Sequence, residues 1–331
     1  MKSGNIKHSV LIISYFQEDY IGTTIESVLN QTELPYEIII SDDCSKDDTW
    51  NIIQRYQKKH PDLIRAYRND PNIGIFQNLE KVLTYASGNV INRLSGDDLY
   101  KPETLEQISN AITGHNLDPD VDKFIVALNS LHLYPDGRET LWNNFQEKEW
   151  DPVKLRLRYG LSYRSIGLSK PLINVVPTER MLNETYPEMS YGVDWIKGFE
   201  EVIQAEKIIF VDYAGPVYRL GVGVTSRQKR EESIRSHLLL IKYLKERYKK
   251  YWDQKDLKYF EYLEITDTYQ LDPSMKGYLA ALYHWIRNYN NFSSNYPWIR
   301  EGKTFLPSFI YPFLKYQVYP AVQYLRGRMS K

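Results

Sequence analysis

The chain has 331 residues, of which 42% are hydrophobic and 25% charged, as is ordinary for a globular protein long enough for two domains. Lys plus Arg and Asp plus Glu number 42 each, so no net charge would recruit nucleic acid. The single cysteine, Cys44, excludes an internal disulfide and favours a reducing compartment. Neither a secretory signal nor an apolar run of about 18 residues is recognisable, so we expect a cytoplasmic protein.

The first 113 residues alternate short apolar strands with amphipathic helices four times. Strand patterns cover residues 9–14, 37–40, 64–67 and 90–94, and apolar residues between them recur at helical spacing. This alternation predicts an α/β fold, with a mostly parallel Rossmann-like sheet and helices on both faces. Neither a G-x-G-x-x-G nor a G-x-x-x-x-G-K-[ST] motif is present, which argues against dinucleotide-binding and P-loop enzymes.

Acidic residues follow two of these strands. Asp42 and Asp43 follow the second strand, and Asp97 and Asp98 follow the fourth. Open α/β sheets bind ligands at the carboxyl ends of their strands, and adjacent carboxylates suit Mg²⁺ or Mn²⁺ held together with substrate phosphates. A solvated turn is the simpler interpretation of either pair alone, because Asp and Gly are common turn residues. Residues 45–48, Ser-Lys-Asp-Asp, further predict a capping box for the next helix.

The second half of the chain is less regular. Residues 124–134 and the turn signal at 135–137 predict a hairpin, and residues 208–213 and 217–220 predict two more short strands. Asp194 opens a helical pattern, where an acidic residue can serve simply as an N-cap or first-turn acid.

Five ordered blocks in about the first 110 residues resemble the nucleotide-sugar half of family 2 glycosyltransferases. The blocks read V-L-I-I-S-Y-F-Q-E-D-Y-I, S-V-L-N-Q-T, E-I-I-I-S-D-D-C-S-K-D-D-T, N-I-G-I-F-Q-N and A-S-G-N-V-I-N-R-L-S-G-D-D. The resemblance implies the GT-A fold and an inverting enzyme. It also implies a nucleotide-sugar donor, expected to be a UDP-sugar, and a glycan or lipid-linked acceptor in bacterial surface polysaccharide synthesis.

The resemblance implies roles for individual residues on the donor side. Asp98 would hold the divalent metal, Mn²⁺ or Mg²⁺, and Asp97 would contact the ribose or the sugar. Asp42 or Asp43 would contact the nucleotide base. Ser95 stands where many members have the first Asp of D-x-D, so the number of metal ligands is open. The remaining donor contacts would come from Ser14, Glu18, Asn78 and Arg219.

On the acceptor side, the resemblance implies that Asp194 acts as general base on the acceptor hydroxyl. Trp195 beside it could stack on an acceptor sugar, although simple packing is the alternative. The family often has a His shortly after the residue that Arg219 matches, but Gly221, Val222 and Gly223 occupy that region here.

Three regions are expected: residues 1–113 for the nucleotide sugar, 114–226 for the acceptor, and 227–331 as a C-terminal helical region. Within the last, residues 305–324 are rich in aromatic and apolar side chains but interrupted by three prolines, and basic residues follow. Two interpretations stand equally. The segment rests on the anionic inner face of the plasma membrane, or it packs on the catalytic domain or on a second copy in an oligomer.

Two other function classes remain open. A nucleotidyltransferase usually has a Gly-rich, basic loop near its start, whereas this chain has S-Y-F-Q-E-D-Y there. A non-catalytic, membrane-associated scaffold could keep the fold without the chemistry. The joint presence of both Asp pairs and Asp194 argues against a scaffold.

Overall fold

The structure is a computed structural model that describes residues 5–143, 166–176, 193–223 and 229–295. The chain forms two compact units, with the main boundary between residues 227 and 228. In its described parts the first unit holds a nine-stranded sheet with six α-helices, and the second holds three α-helices.

The strands of the first unit form one sheet. In chain order they are β1 (His8–Ser14), β2 (Glu37–Asp42), β3 (Ile64–Arg68), β4 (Val90–Ser95), β5 (Leu99–Tyr100), β6 (Phe124–Leu133), β7 (Glu139–Asn143), β8 (Ile166–Ser169) and β9 (Lys207–Arg219). Strand β1 pairs in parallel with β2 and β4, and β2 with β3. Strand β8 lies antiparallel between β4 and β6, and β9 runs parallel to β6. The order is β3-β2-β1-β4-β8-β6-β9-β5, with β7 paired to β6.

Helices connect and cover these strands. They are α1 (Ile21–Leu29), α2 (Thr49–Lys59), α3 (Ile75–Thr84), α4 (Thr104–Gly114), α5 (Lys170–Val175) and α6 (Val193–Gln204). Helix α1 shows why such segments form: Ile21, Ile25 and Val28 recur at helical spacing and are fully buried. The four strand–helix alternations and the predicted α/β class are confirmed.

Two local predictions need correction. The stretch at 207–219 is one strand, because register shifts at Asn129 of β6 absorb the break that Gly215 and Pro216 signal in the sequence. The capping box at 45–48 does not form. The Ser45 hydroxyl instead bonds Asp42, and the first amides of α2 are taken by Glu18 and Asp47. The predicted hairpin is confirmed as β6 and β7.

The second unit consists of α7 (Arg230–Arg247), a 3₁₀ turn (Lys249–Tyr251), α8 (Gln254–Leu271) and α9 (Met275–Asn295). Its core is aromatic: Tyr259, Tyr262 and Tyr269 of α8 pack with Ala281 of α9. Three of the 28 tyrosines of the chain therefore help to build this small helical core, where a ring adds apolar area.

The aromatic segment at 305–324 lies outside the described residues. Among the helices that the structure describes, none combines the length and the apolar character needed to cross a bilayer.

Candidate active site

The carboxyl ends of three adjacent parallel strands meet at one edge of the sheet. Strand β1 ends at Ser14, which lies opposite Asp42 at the end of β2. Ser95 at the end of β4 lies opposite Ile13, so all three strand ends are level. This alignment brings the two Asp pairs to the same edge, as the sequence predicts, with β1 between them.

The Asp97–Asp98 pair lies in a tight turn after β4. The amide of Gly96 donates to the carbonyl of Ile13, and the amide of Asp98 to that of Ser95. The Thr24 hydroxyl of α1 lies 2.9 Å from the carbonyl of Gly96 and 2.8 Å from that of Asp98. These contacts hold the turn against β1 and α1. The backbone from which both carboxylates extend is therefore fixed in position.

Gly96 is required in this turn by close packing. A Cβ at this position would overlap the Gln17 side-chain oxygen and lie 3.1 Å from Cβ of Ser14. Both neighbours are buried and belong to β1 or to the loop that follows it. The Ser-Gly-Asp-Asp sequence thus packs against β1 through its glycine, a contact that the turn signal alone did not reveal.

Arg219, the last residue of β9, braces the turn from the other side. Its backbone amide donates to Oδ1 of Asp98 at 3.1 Å, and its guanidinium donates to the carbonyl of Asp97 at 2.7 Å. A second guanidinium nitrogen donates to Thr23 at 2.8 Å. Burial lowers the pKa of Arg219, but Asp98 and Asp97 oppose that shift and the group stays cationic. Its positive charge offsets part of the repulsion between the two carboxylates.

Gly223 also lies close to the Asp97–Asp98 pair. Its backbone has φ of 77°, and a Cβ there would overlap Oδ2 of Asp97. Gly221, two residues earlier, has φ of 78° but faces open space apart from Pro135 at 3.7 Å. Glycine at 223 therefore serves both the backbone conformation and the approach to Asp97.

Asp42 is fully buried at the end of β2. Its carboxylate accepts the amide of Ser45 at 3.0 Å and the hydroxyl of Ser14 at 3.3 Å, and it lies 3.4 Å from Nε of Arg68. Burial raises the pKa of Asp42 above its ordinary value, against the lowering effect of Ser45, Arg68 and Ser14. Ser14 and Asp42 are thus in contact, as expected for residues lining one pocket.

Asp43 anchors a loop. Its carboxylate accepts the amides of Ile73 and Gly74, both at 2.9 Å, and the side-chain amide of Asn69 at 2.9 Å. These bonds tie the end of β2 to the loop that starts α3. The contact of Asp43 with a base stays a prediction, and Asp42 is the member of the pair that lies beside Ser14.

The described side-chain hydrogen bonds of Asn78 and Glu18 go to residues other than Asp97 and Asp98. The Asn78 side chain is 2% exposed and its amide bonds Ser41 and Asn69, so the structure does not bring it to the carboxylates. Glu18 is exposed and accepts the amide of Asp48 at 2.7 Å, at the start of α2. The donor contacts predicted for both residues stay predictions.

Asp194 and Trp195 are the second and third residues of α6, and their side chains lie outside the described part of the structure. The path of the backbone still places them. The amide of Glu206, just after α6, bonds the carbonyl of Lys123, and β9 starts opposite Phe124 at the amino end of β6. Helix α6 therefore returns antiparallel to the strands, so its first turn, with Asp194, lies towards the carboxyl edge.

The turn offers two hard oxygen donors, Asp97 and Asp98. This donor set fits Mg²⁺ or Mn²⁺, which proteins often hold with one or two carboxylates while substrate phosphates supply other ligands. In the described ranges, no group of three or more His, Cys, Asp and Glu is arranged for a metal ion.

Sequence reasoning missed Gln17, Thr24 and Arg93, and it named Gly223 only as part of the region where the family often has a His. Gly223 was detectable in principle, since isolated loop glycines often mark positive φ or close approach. Thr24 and Gln17 carried no such signal, because their partners lie about 70 residues or more away in the sequence.

Known proteins match the part of the chain that carries both Asp pairs. Residues 9–172 match the family model described as Glycosyl transferase family 2. The putative teichuronic acid biosynthesis glycosyltransferase TuaG of Bacillus subtilis is 35% identical over 142 residues, covering 39% of this chain and 56% of TuaG. The Escherichia coli protein named UDP-Glc:alpha-D-GlcNAc-diphosphoundecaprenol beta-1,3-glucosyltransferase WfaP is 27% identical over 232 residues, covering 70% of this chain and 84% of WfaP. The match identifies residues 9–172 as a family 2 glycosyltransferase domain.

A solved structure extends the likeness in fold. S. aureus TarS 1-349, in complex with UDP-GlcNAc, aligns with a TM-score of 0.61 at 19% identity, over 90% of this chain and 91% of that one. At this identity the likeness concerns the fold alone. The matched segments also span only 27% of three mycobacterial relatives and 56% of TuaG.

Proposed function

We propose that this protein transfers a sugar from a nucleoside-diphosphate donor to a hydroxyl group of a glycan or lipid-linked acceptor in surface polysaccharide synthesis. The observation that carries the proposal is the Asp97–Asp98 turn, which is braced at the carboxyl edge of a sheet within the residues that match family 2. The name of WfaP specifies a UDP-Glc donor and an alpha-D-GlcNAc-diphosphoundecaprenol acceptor, which supports a UDP-sugar and a lipid-linked acceptor here.

The proposed roles follow from position and charge. Asp98 holds a divalent cation, which would supply Lewis-acid stabilisation of the departing diphosphate, and Asp97 contacts the ribose or the sugar of the donor. Asp42 lies across β1 from that turn, and Ser14 lies at the end of β1 between them. Asp42 and Ser14 line the part of the site that receives the nucleotide base. Arg219 keeps the turn in place and adds positive charge beside it. The donor thus spans the ends of β2, β1 and β4.

Asp194 is proposed as the general base. The acceptor oxygen forms a bond to the anomeric carbon as the bond from that carbon to the diphosphate oxygen breaks. The acceptor proton passes to the Asp194 carboxylate, and the nucleoside diphosphate leaves with the bonding electrons. Attack from the face opposite the leaving group gives inversion. A product with retained configuration would contradict this assignment.

The first experiment is a thermal-shift panel of nucleoside diphosphates and nucleotide sugars, each with and without Mn²⁺. A ligand that binds the native state raises the melting temperature by mass action, so one nucleotide should give a Mn²⁺-dependent rise. The variant Asp98→Asn should lose the Mn²⁺ dependence. Asp62→Asn, which changes an exposed carboxylate, is the matched control and should retain it.

The alternatives give different outcomes. A folded protein that responds to no nucleotide would contradict the proposal and favour a scaffold. Pyrophosphate release from nucleoside triphosphates, without transfer from nucleotide sugars, would identify a nucleotidyltransferase instead.

Turnover measurements distinguish the role of the proposed base, Asp194, from the roles of the donor-site residues. Asp194→Asn should reduce turnover by about 10²- to 10⁴-fold, the range that general base catalysis contributes. Its donor-induced thermal shift should match that of the wild type, since Asp194 is proposed to act on the acceptor. Equal turnover in variant and wild type would exclude Asp194 as the base.

A further inference from the structure

A buried ion pair links the strand that precedes the Asp97–Asp98 turn to the helix that begins with Asp194. Arg93 of β4 and Glu201 of α6 are 2.5 Å apart, with side chains 4% and 0% exposed. Both residues belong to the first compact unit. The pair therefore joins the two halves of the proposed active site beneath the edge where they meet.

The pair also fixes the position of α6 along the strand direction relative to the Asp97–Asp98 turn. Arg93 lies three residues before Gly96, which along a strand is about 10 Å. Glu201 lies seven residues after Asp194, which along a helix is also about 10 Å. Since α6 runs antiparallel to β4, the start of α6 and the Asp97–Asp98 turn reach about the same level at the carboxyl edge.

Arg93 is held on the strand side as well. The hydroxyl of Tyr100, a residue 6% exposed in β5, lies 3.1 Å from the carbonyl of Arg93. Tyr100 follows Asp98 by two residues, so the segments before and after the turn both meet at Arg93. A shift of Arg93 would move the turn with it.

We infer that the Arg93–Glu201 pair is a positioning device that fixes the register of α6 on β4, and so the distance between the general base and the donor site. The inference rests on the proposed function. Apolar packing at this place would hold the helix but would allow small slides along its axis. A charged hydrogen bond has a direction and a short length, so it admits one register. Two buried charges are costly relative to an apolar pair, and a specificity role accounts for their presence.

The double variant Arg93→Met/Glu201→Leu tests the inference. It replaces the ion pair by apolar side chains, which often preserves or raises stability. The melting temperature and the nucleotide-induced thermal shift should stay near the wild-type values. Turnover should fall tenfold or more, because a displacement of about 1 Å at a reacting group can cost 10²-fold, while KM for the donor changes less than twofold.

A matched control sits near the other end of the same helix. Lys123 and Glu206 form an ion pair of 2.7 Å between the segments that lead into β6 and β9. The double variant Lys123→Ala/Glu206→Ala also removes one ion pair next to α6. It should leave turnover and donor KM unchanged, because it lies at the amino edge.

The outcomes are decisive in both directions. Wild-type turnover in Arg93→Met/Glu201→Leu would overturn the inference, and so would equal losses of turnover and donor binding. If that variant does not fold, Arg93→Lys keeps the charge without the planar fork, and the same split between turnover and KM is required. Absence of transfer by the wild-type protein would instead refute the proposed function.

Discussion

The two ends of strand β2 each carry a buried carboxylate, but their surroundings shift the two pKa values in opposite directions. Glu37 at the amino end is 6% exposed, and Asp42 at the carboxyl end is fully buried. Burial alone would raise the pKa of Glu37, but hydrogen bonds from Ser9, Ser87 and Gly88 outweigh it and lower the pKa. At Asp42 burial outweighs the hydrogen bonds, and the pKa is raised.

This difference is the one expected between an edge that stabilises the fold and an edge that is proposed to bind substrate. Glu37 also pairs with Arg65, so its charged form is held by several donors and favours folding. At Asp42, next to the end of β1, burial disfavours the charged form and raises the pKa. Perturbed carboxylates that cost stability cluster at functional sites. Substitutions at the carboxyl edge should therefore reduce activity, and those at the amino edge should reduce stability.

The largest effect is expected for Asp98→Asn. Loss of the carboxylate that is proposed to bind the metal should reduce turnover by about 10³-fold, or about 4 kcal/mol of transition-state stabilisation. The free energy of unfolding should change by less than about 1 kcal/mol, since Asn keeps the shape and can still accept from the amide of Arg219. Steady-state kinetics and denaturant unfolding measure the two quantities. A large loss of stability with normal specific activity would instead assign Asp98 a structural role like that expected for Glu37.

Glu37→Gln should show the opposite pattern. The neutral amide loses the ion pair with Arg65 and weakens the bonds from Ser9, Ser87 and Gly88, which should cost about 3 kcal/mol in unfolding free energy. Turnover of the folded fraction should match the wild type. Reduced turnover at full stability would place Glu37 in the functional edge instead.

A pH effect is expected from His8, also at the amino end of the strands. Burial lowers the pKa of His8 to about 4 from 6.5, and its ring bonds Asn92 and Ser109. Glu33 lies 3.7 Å away and favours the charged ring, but burial dominates. The folded state thus binds fewer protons than the unfolded state between these values, so stability falls as pH drops from about 6.5 to 4.

The expected loss for His8 between pH 7 and pH 5 is about 2 kcal/mol. Denaturant unfolding at both pH values measures it, with His8→Gln as the comparison protein. This variant should be less stable at pH 7 but should lack that part of the pH dependence. If the unfolding free energy depended equally on pH in both proteins, His8 would not be the titrating group.

Much of the fold could be predicted from the sequence because its signals are local. Apolar runs and turn residues located β1 to β4, and parallel strands must end at one edge, which brought the Asp pairs together. The strand at 207–219 was predicted as two, since Gly215 and Pro216 signal a break locally. Pairing with β5 and β6 overrides that signal through register shifts.

The contacts that fix the site are not local, and sequence patterns carry little information about them. Arg93 and Glu201 are 108 positions apart, and the bonds from Ile73 and Gly74 to Asp43 span about 30. An acidic pair after a strand looks the same whether it faces a ligand or anchors a loop. Only the fold distinguishes Asp43, which accepts three bonds from one loop, from Asp97 and Asp98.

The smallest effect, and the finest test of the functional edge, compares Gly223→Ala with Gly221→Ala. Both glycines have nearly the same positive φ, 77° and 78°, so both variants should lose about 1–2 kcal/mol of stability from backbone strain. Only a methyl group at 223 would overlap Asp97. Gly223→Ala should therefore reduce turnover about tenfold further, equivalent to about 1.4 kcal/mol. Equal turnover in the two variants would show that the approach of Gly223 to Asp97 has no part in catalysis, and that strain alone explains the glycine.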